Sequence, residues 1–228
     1  MVDEAQDLLR ESFLIVLNSC LKKGLSRGKW TMFGDFTMQA IYTEGVSGAE
    51  LIERLEEYAS FVRFKLITNC RNTESICKEI ETVTGFKAQT DLWSRVEGPP
   101  VQYLTWVTQE EQSDKLRELL RRLEGETIFP EQITILSPKR RTESVVSLLS
   151  GLNIREYKCP QGMNTTFCTI QGYKGLENTV VILTDIEDYL DDKLMYVGLS
   201  RARSGLFILL SETAKKEFDD LLIRRLLQ

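Results

Sequence analysis

Carboxylates, amides, lysines and arginines must carry any reaction this chain performs, because its 228 residues include no histidine. Ser-His-Asp, Cys-His and histidine–metal chemistry are excluded together. One group of acids stands near the start, where Asp3-Glu4-Ala5-Gln6-Asp7 follows Val2 directly. Acids at the end of a buried strand can hold Mg²⁺, directly or through water, while a neighbour polarises an attacking water. The same acids would also suit a solvated helix N-terminus, where the dipole favours them. Further on, Gly34-Asp35 and then Gln39 follow a short apolar run. They offer an amide that could sense a γ-phosphate, although Gly-Asp is equally an ordinary turn.

Three more clusters contain the basic groups. Asn69-Cys70-Arg71 lies between an apolar run and a helical stretch. Arg71 could grip an anion as a two-pronged fork, or lie on the surface beside a capping Asn72 or Thr73. Thr169-Ile170-Gln171-Gly172-Tyr173-Lys174-Gly175-Leu176-Glu177 places two glycines, a lysine and a glutamate between two apolar runs. Such a loop can approach a phosphate backbone through its amides and Thr169 while Glu177 accepts from a hydroxyl, and a plain connection is the alternative. Tyr196-Val197-Gly198-Leu199-Ser200-Arg201-Ala202-Arg203 carries two arginines spaced two apart. A regular backbone aims them in different directions, so one can face a nucleotide while the other pairs with protein or solvent.

The elements that must position these groups alternate regularly. After an opening helix over 8–23, with Leu9, Phe13, Val16, Leu17 and Cys20 on one side, a short strand is expected over 30–33. Residues 43–48 read as a hinge. Strands are then expected at 64–68, 101–107, 133–136, 168–170, 180–183 and 206–210. Helices are expected at 73–83, 109–124, 141–150 and 191–199. Short apolar strands without polar alternation, each followed by an amphipathic helix, call for a parallel sheet covered on both faces. One strand and one helix before the hinge cannot close such a sheet by themselves.

Composition sets the outer bounds. A hydrophobic content of 42% can fill the core of one domain, or of one domain and part of another. There is no secretory pattern and no long apolar span, so the expected setting is the cytoplasm, with no membrane. Cys20, Cys70, Cys77, Cys159 and Cys168 show no CxxC spacing and fit reduced thiols. A net charge of -5 argues against bulk electrostatic binding of DNA while leaving room for a local basic track.

Taken in order, the clusters resemble the conserved motifs of superfamily 1 helicases of the UvrD/Rep/PcrA type. Val2 to Asp7 is similar to the second motif in its DEAQD form, and Gly34 to Tyr42 to the third. Leu66 to Arg71 is similar to the fourth, Thr169 to Glu177 to the fifth, and Tyr196 to Arg203 to the sixth. The resemblance implies a RecA-like parallel sheet flanked by helices over 46–228, a second motor domain. Residues 1–45 would then be the remnant of a first RecA-like domain. It also implies ATP with Mg²⁺ as cofactors of the complete motor, and single-stranded nucleic acid, DNA rather than RNA, as partner. Carried over, Asp3 would be the Mg²⁺-associated acid, Glu4 the base that orients the attacking water, and Gln39 the γ-phosphate sensor. Arg71 and Arg201 would be arginines offered to the γ-phosphate. Lys174, Gly175 and Glu177 would border the nucleotide, with Glu177 on the ribose, and Thr169 would touch the nucleic-acid backbone.

The departures are as specific as the matches. No GxxxxGK[ST] occurs, and Gly24-Leu25-Ser26-Arg27-Gly28-Lys29-Trp30 has the wrong spacing and no hydroxyl after its lysine. The third motif carries one extra residue between Asp35 and Gln39, and Cys70 stands where a tyrosine is usual. The stretch between Arg71 and Lys174 has no room for a large accessory insertion, as in compact relatives. The leading expectation is the C-terminal portion of an ATP-dependent helicase or translocase, working with an N-terminal motor domain that carries the P-loop. A non-catalytic RecA-like binding or regulatory module and an unrelated RecA-like nucleotide-binding enzyme are the alternatives.

Overall fold

A computed structural model describes residues 1–36, 46–66, 68–86, 96–157, 162–189 and 192–226. The expected γ-phosphate sensor, Gln39, lies outside them. The chain divides into two compact units, Met1–Leu66 and Ile67–Gln228. The helix at 48–58 falls within the first of these units.

In the first unit, α1 (Glu11–Cys20), α2 (Gly24–Arg27) and α3 (Gly48–Tyr58) enclose a core of Leu9, Leu14, Leu25, Leu51, Leu55 and Ala59. Ser47 starts α3 through a reciprocal capping box: its hydroxyl accepts from the Glu50 N–H, and the Glu50 carboxylate accepts from the Ser47 N–H. The strand expected at 30–33 contracts to a single parallel bridge between Val2 and Met32. The apolar stripe expected on the first helix is not its buried face. Leu14 is buried, whereas Phe13 and Val16 are about half exposed.

The second unit begins with α4 (Glu74–Thr84). It continues through β1 (Gln102–Trp106), α5 (Gln109–Gly125), β2 (Ile133–Ser137), β3 (Ile154–Glu156) and β4 (Thr165–Thr169). β5 (Asn178–Ile186), α6 (Asp192–Leu199), β6 (Ala202–Ser211) and α7 (Glu212–Leu226) complete it. The six strands form one sheet in the order β1-β6-β5-β2-β4-β3, with every pairing parallel. This is the doubly covered parallel sheet expected from the sequence. On one face, Leu116, Leu119 and Leu123 of α5 pack with Ile133, Ile135, Ile182 and Leu209. On the other, α4 packs against α6, α7 and β6. Strand residues alternate between the faces, so Ile182 serves the α5 side while Leu183 meets α6. A Cβ on Gly198 would stand 3.1 Å from Leu183 Cδ2, which is why α6 can lie this close to β5.

Three local expectations change. The helix expected over 141–150 is a 3₁₀ turn, Val145–Leu148, whose start is fixed by Ser144 accepting from the Val146 N–H. The strand expected from residue 64 does not form over 64–66, and Val62, Phe64 and Leu66 are more than three-quarters exposed, at 77%, 88% and 85%. β3 and α7 form where no element was expected. α7 joins the fold through Ala214 and Phe218, both buried within an otherwise highly charged stretch.

Candidate functional site

Because the strands are all parallel, the two ends of the 169–177 loop sit at opposite rims of the sheet. Thr169 closes β4 at the C-terminal rim, beside Ser137. Glu177 immediately precedes β5 at the N-terminal rim. The loop makes the crossing in a 3₁₀ turn, Gln171–Tyr173. It then passes Gly175 in the left-handed region at φ 81, a conformation other residues enter at a cost. Thr169 Oγ1 accepts from the Gly172 N–H at 3.1 Å, so the hydroxyl expected to touch a nucleic-acid backbone is already fastened within its own loop. Lys174 lies half-buried between Tyr173 and Gly175.

Glu177 stands at the centre of the N-terminal rim. Its Oε2 accepts from Arg71 Nε at 2.5 Å, and its Oε1 lies 3.6 Å from Arg203 Nε. The Arg71 and Glu177 side chains are each a little over one-third exposed, and that of Arg203 more than half. Arg71 and Glu177 are thus in direct contact although 106 positions apart in sequence.

The backbone beneath them is held at several points. Asn72 is buried and donates from Nδ2 to the carbonyls of Ser200 and Ala202, at 3.1 and 2.6 Å. The Thr73 N–H donates to the Arg203 carbonyl at 3.2 Å, and the Asn69 side chain accepts from the N–H groups of Arg71 and Asn72. Tyr173, fully buried, donates its hydroxyl to the Glu177 carbonyl at 3.1 Å. Asn72 and Tyr173 were not among the expected site residues. Both are polar side chains that the fold buries, and buried polar groups require partners.

Arg201, expected from the resemblance to be offered to the γ-phosphate, is instead buried in the protein. It is 1% exposed, and its guanidinium donates to the Val197 carbonyl at 3.0 Å, the Leu176 carbonyl at 3.2 Å and Ser200 Oγ at 2.9 Å. These are neutral acceptors on the end of α6 and on the loop before β5. The Asn178 N–H donates in turn to the Arg201 carbonyl. Arg201 is therefore built into the rim as a clamp, while Arg203, two residues on, reaches the surface.

In the first unit, Asp3 is exposed and its Oδ1 accepts from the Glu4 N–H at 3.0 Å. Glu4 takes a left-handed conformation at φ 49 and accepts from Gln6 Nε2. Gln6 is fully buried and uses its other end, Oε1, to accept from the Asp35 N–H at 3.1 Å. The second-motif and third-motif segments are thus joined by one glutamine and the Val2–Met32 bridge. Among the described residues no three acids or cysteines gather as a metal-binding group. Asp3 could serve as one carboxylate of a Mg²⁺ ion whose other ligands are phosphate oxygens and water, the usual ligand set of that ion.

A second polar centre occupies the C-terminal rim. Asp185, 3% exposed and at φ 59, accepts from Ser137 Oγ at 2.7 Å, Ser144 Oγ at 2.6 Å and the Val145 N–H at 2.9 Å. Gln112 Nε2 approaches it at 3.4 Å. It ties the segment after β2 to the end of β5, and Lys139, on that segment, pairs with Glu187 at 2.6 Å.

No protein-family model matches the chain, and no curated protein does. Among solved structures, the chain is similar to the C-terminal domain of a possible DNA helicase from Lactobacillus plantarum WCFS1, with 14% identity and a TM-score of 0.49, over 64% of this chain and 89% of that one. It is also similar to the PRRSV helicase, with 14% identity and a TM-score of 0.46, over 85% of this chain and 32% of that one. A third likeness is to arterivirus nonstructural protein 10, a helicase, at 13% identity and a TM-score of 0.40. The chain spans about a third of the length of these two viral proteins, 32% and 36%. The likeness is distant and concerns the course of the chain alone. No helix among the described residues is long and apolar enough to cross a membrane.

Proposed function

We propose that the second unit is a RecA-like module that offers guanidinium groups to a nucleotide bound mainly by a P-loop domain. In this reading the chain is the C-terminal portion of an ATP-dependent nucleic-acid helicase or translocase. The observation that carries it is the convergence of Arg71, Glu177 and Arg203 on the N-terminal rim, exposed and held on a fixed backbone. Phosphoryl transfer needs positive charge preorganised around the transferred group, and arginines brought by a second domain are a recurrent source.

The roles divide among the residues present. Arg71 reaches the phosphates. Arg201 keeps the loop before β5 and the end of α6 in register, so that the rim does not reorganise when an anion arrives. Thr169 and the C-terminal rim are the surface proposed for the nucleic-acid backbone. Mg²⁺, when carried with the nucleotide, neutralises phosphate charge, and Asp3 is the carboxylate of this chain that would hold it. Glu4 is the proposed base for the attacking water.

A fusion tests this reading. A P-loop-bearing first motor domain of a superfamily 1 helicase is joined ahead of the chain, and phosphate release is followed with Mg²⁺-ATP and single-stranded DNA. The expected result is DNA-stimulated turnover on the order of 10²-fold or more above the first domain alone, returning to baseline on Arg71→Ala. A folded fusion, verified by near-UV circular dichroism, that shows no stimulation would overturn it and favour the non-catalytic module.

A further inference from the structure

We propose that Glu177 is the resident counter-ion of a polyphosphate site whose two cations are Arg71 and Arg203. In this arrangement the carboxylate holds both arginines by Nε and weakens their pull on an anion until it swings aside. The inference rests on the reading of the rim as nucleotide-facing, and assigns two residues there new tasks. Glu177 becomes a competitor of the anion rather than a holder of ribose, and Arg203 replaces Arg201 as the second anion-binding arginine.

Geometry excludes Arg201 from that part. All three of its nitrogens are engaged, by two carbonyls and a hydroxyl, and at 1% exposure no anion can approach it without dismantling the loop. Arg71 and Arg203 differ on both counts. Each meets Glu177 through Nε, and their terminal nitrogens make no hydrogen bond to the described residues. A guanidinium held this way keeps its paired forward donors for a phosphate, the geometry in which arginine binds oxyanions best.

Charge balance gives the exchange its direction. Among the three surface groups, two guanidiniums and one carboxylate leave a single positive charge, so Glu177 halves the charge that Arg71 and Arg203 offer an anion. A polyphosphate carrying several negative charges competes for the same cations and is repelled by the carboxylate between them. Glu177 therefore opposes the anion by repulsion although the forward donors are open, and binding is strongest once it turns away. That movement is confined to side chains, because the Glu177 carbonyl is held by Tyr173, the Arg203 carbonyl by Thr73, and the Arg71 turn by Asn69 and Asn72. The same contact that keeps the two arginines ordered thus weakens their hold on any stray anion.

The test uses inorganic triphosphate, which has no ribose, titrated calorimetrically into the full chain at fixed ionic strength, with ATP in a parallel series. Glu177→Gln, close in shape and in an exposed position, is expected to bind triphosphate roughly three- to tenfold more tightly than the parent chain. Arg203→Ala and Arg71→Ala are each expected to bind it roughly tenfold more weakly, with Arg203→Lys intermediate. Unchanged or weaker triphosphate binding by Glu177→Gln overturns the proposal, as does unchanged binding by Arg203→Ala or no binding by any form. If Glu177→Gln weakens ATP but leaves triphosphate alone, Glu177 is a ribose ligand. That outcome sinks this inference while the nucleotide-facing reading stands, to be decided separately by turnover in the fusion.

Discussion

The guanidinium of Arg201 donates to the carbonyl of Leu176, two residues before β5, and through it holds the loop that presents Glu177. The bond runs between a side chain and a backbone 25 positions apart, inside the fold rather than at its surface. It makes the rim a built structure, and its removal has a definite cost.

Arg201→Ala takes a donor from the Val197 carbonyl, which keeps the Ser200 hydroxyl, from the part-buried Leu176 carbonyl and from Ser200 Oγ. An unsatisfied buried acceptor costs about 1–3 kcal/mol, so the substitution is expected to destabilise the second unit by about 2–4 kcal/mol. Urea unfolding followed through Trp106, which is buried in that unit, measures it. Arg203→Ala serves as the comparison, and exposed as it is, it should cost about 1 kcal/mol or less. Equal midpoints for the two variants would remove the distinction between clamp and surface arginine.

Asp185 predicts a loss at the other rim. Replacing it with alanine leaves Ser137, Ser144 and the Val145 N–H without their acceptor. The expected cost is about 3 kcal/mol, together with loosening of the segment that carries Lys139. Asp185→Asn keeps one acceptor oxygen and tolerates the left-handed backbone, so its urea midpoint should fall between parent and alanine variant.

What was legible in the sequence follows from what fixes each element. The strands β2, β5 and β6 showed because a doubly covered strand needs an unbroken apolar run, and α5 because four leucines recur on one face. α7 did not show, since two buried residues anchor fifteen mostly charged ones. The 141–150 helix is expected from the regular alternation of strand and helix, but Ser144 and Asp185 capture backbone N–H groups there, and Asp185 is distant in sequence. In the site, the resemblance assigned Arg71 to the γ-phosphate and Glu177 to the ribose without foreseeing their ion pair, which joins positions too far apart in sequence to be read from spacing. The burial of Arg201 was hidden because its acceptors include backbone carbonyls, which look alike in any sequence.

Glu79 gives a prediction in pH. Burial pushes its carboxyl above the ordinary value of 4.5, partly opposed by the hydroxyl of Tyr103 that donates to it. A folded-state value raised above the unfolded one means that the folded chain binds the proton more tightly. The associated stability is fully present below pH 4.5 and is lost as pH rises through the raised value. Glu79→Gln, neutral throughout, should therefore melt higher than the parent chain near pH 7, with the gap closing as pH falls toward 4.5. Thermal midpoints of both proteins across that window provide the check, and a gap that widens on acidification would contradict the sign.

The last prediction concerns the chain by itself: it should show no significant ATP hydrolysis. Charge moving onto the transferred phosphoryl group must be met by donors already in place, and a P-loop supplies most of them through its amides and lysine. No GxxxxGK[ST] occurs in the 228 residues. Arg71 and Arg203 can complete such a cradle, but without it they hold a phosphate at one side and leave the other in water. Losing one well-placed catalytic donor costs on the order of 10²–10³ in rate, and here the whole loop is lacking. Asp3 and Glu4 offer no substitute, because carboxylates repel a polyphosphate unless a cation stands between them. Steady-state phosphate release by the purified chain, with Mg²⁺-ATP and with or without single-stranded DNA, should match that of an Arg71→Ala variant. DNA-stimulated turnover that disappears in the variant would show that these residues suffice for a complete hydrolytic site, and the reading of the chain as one side of a motor would fall.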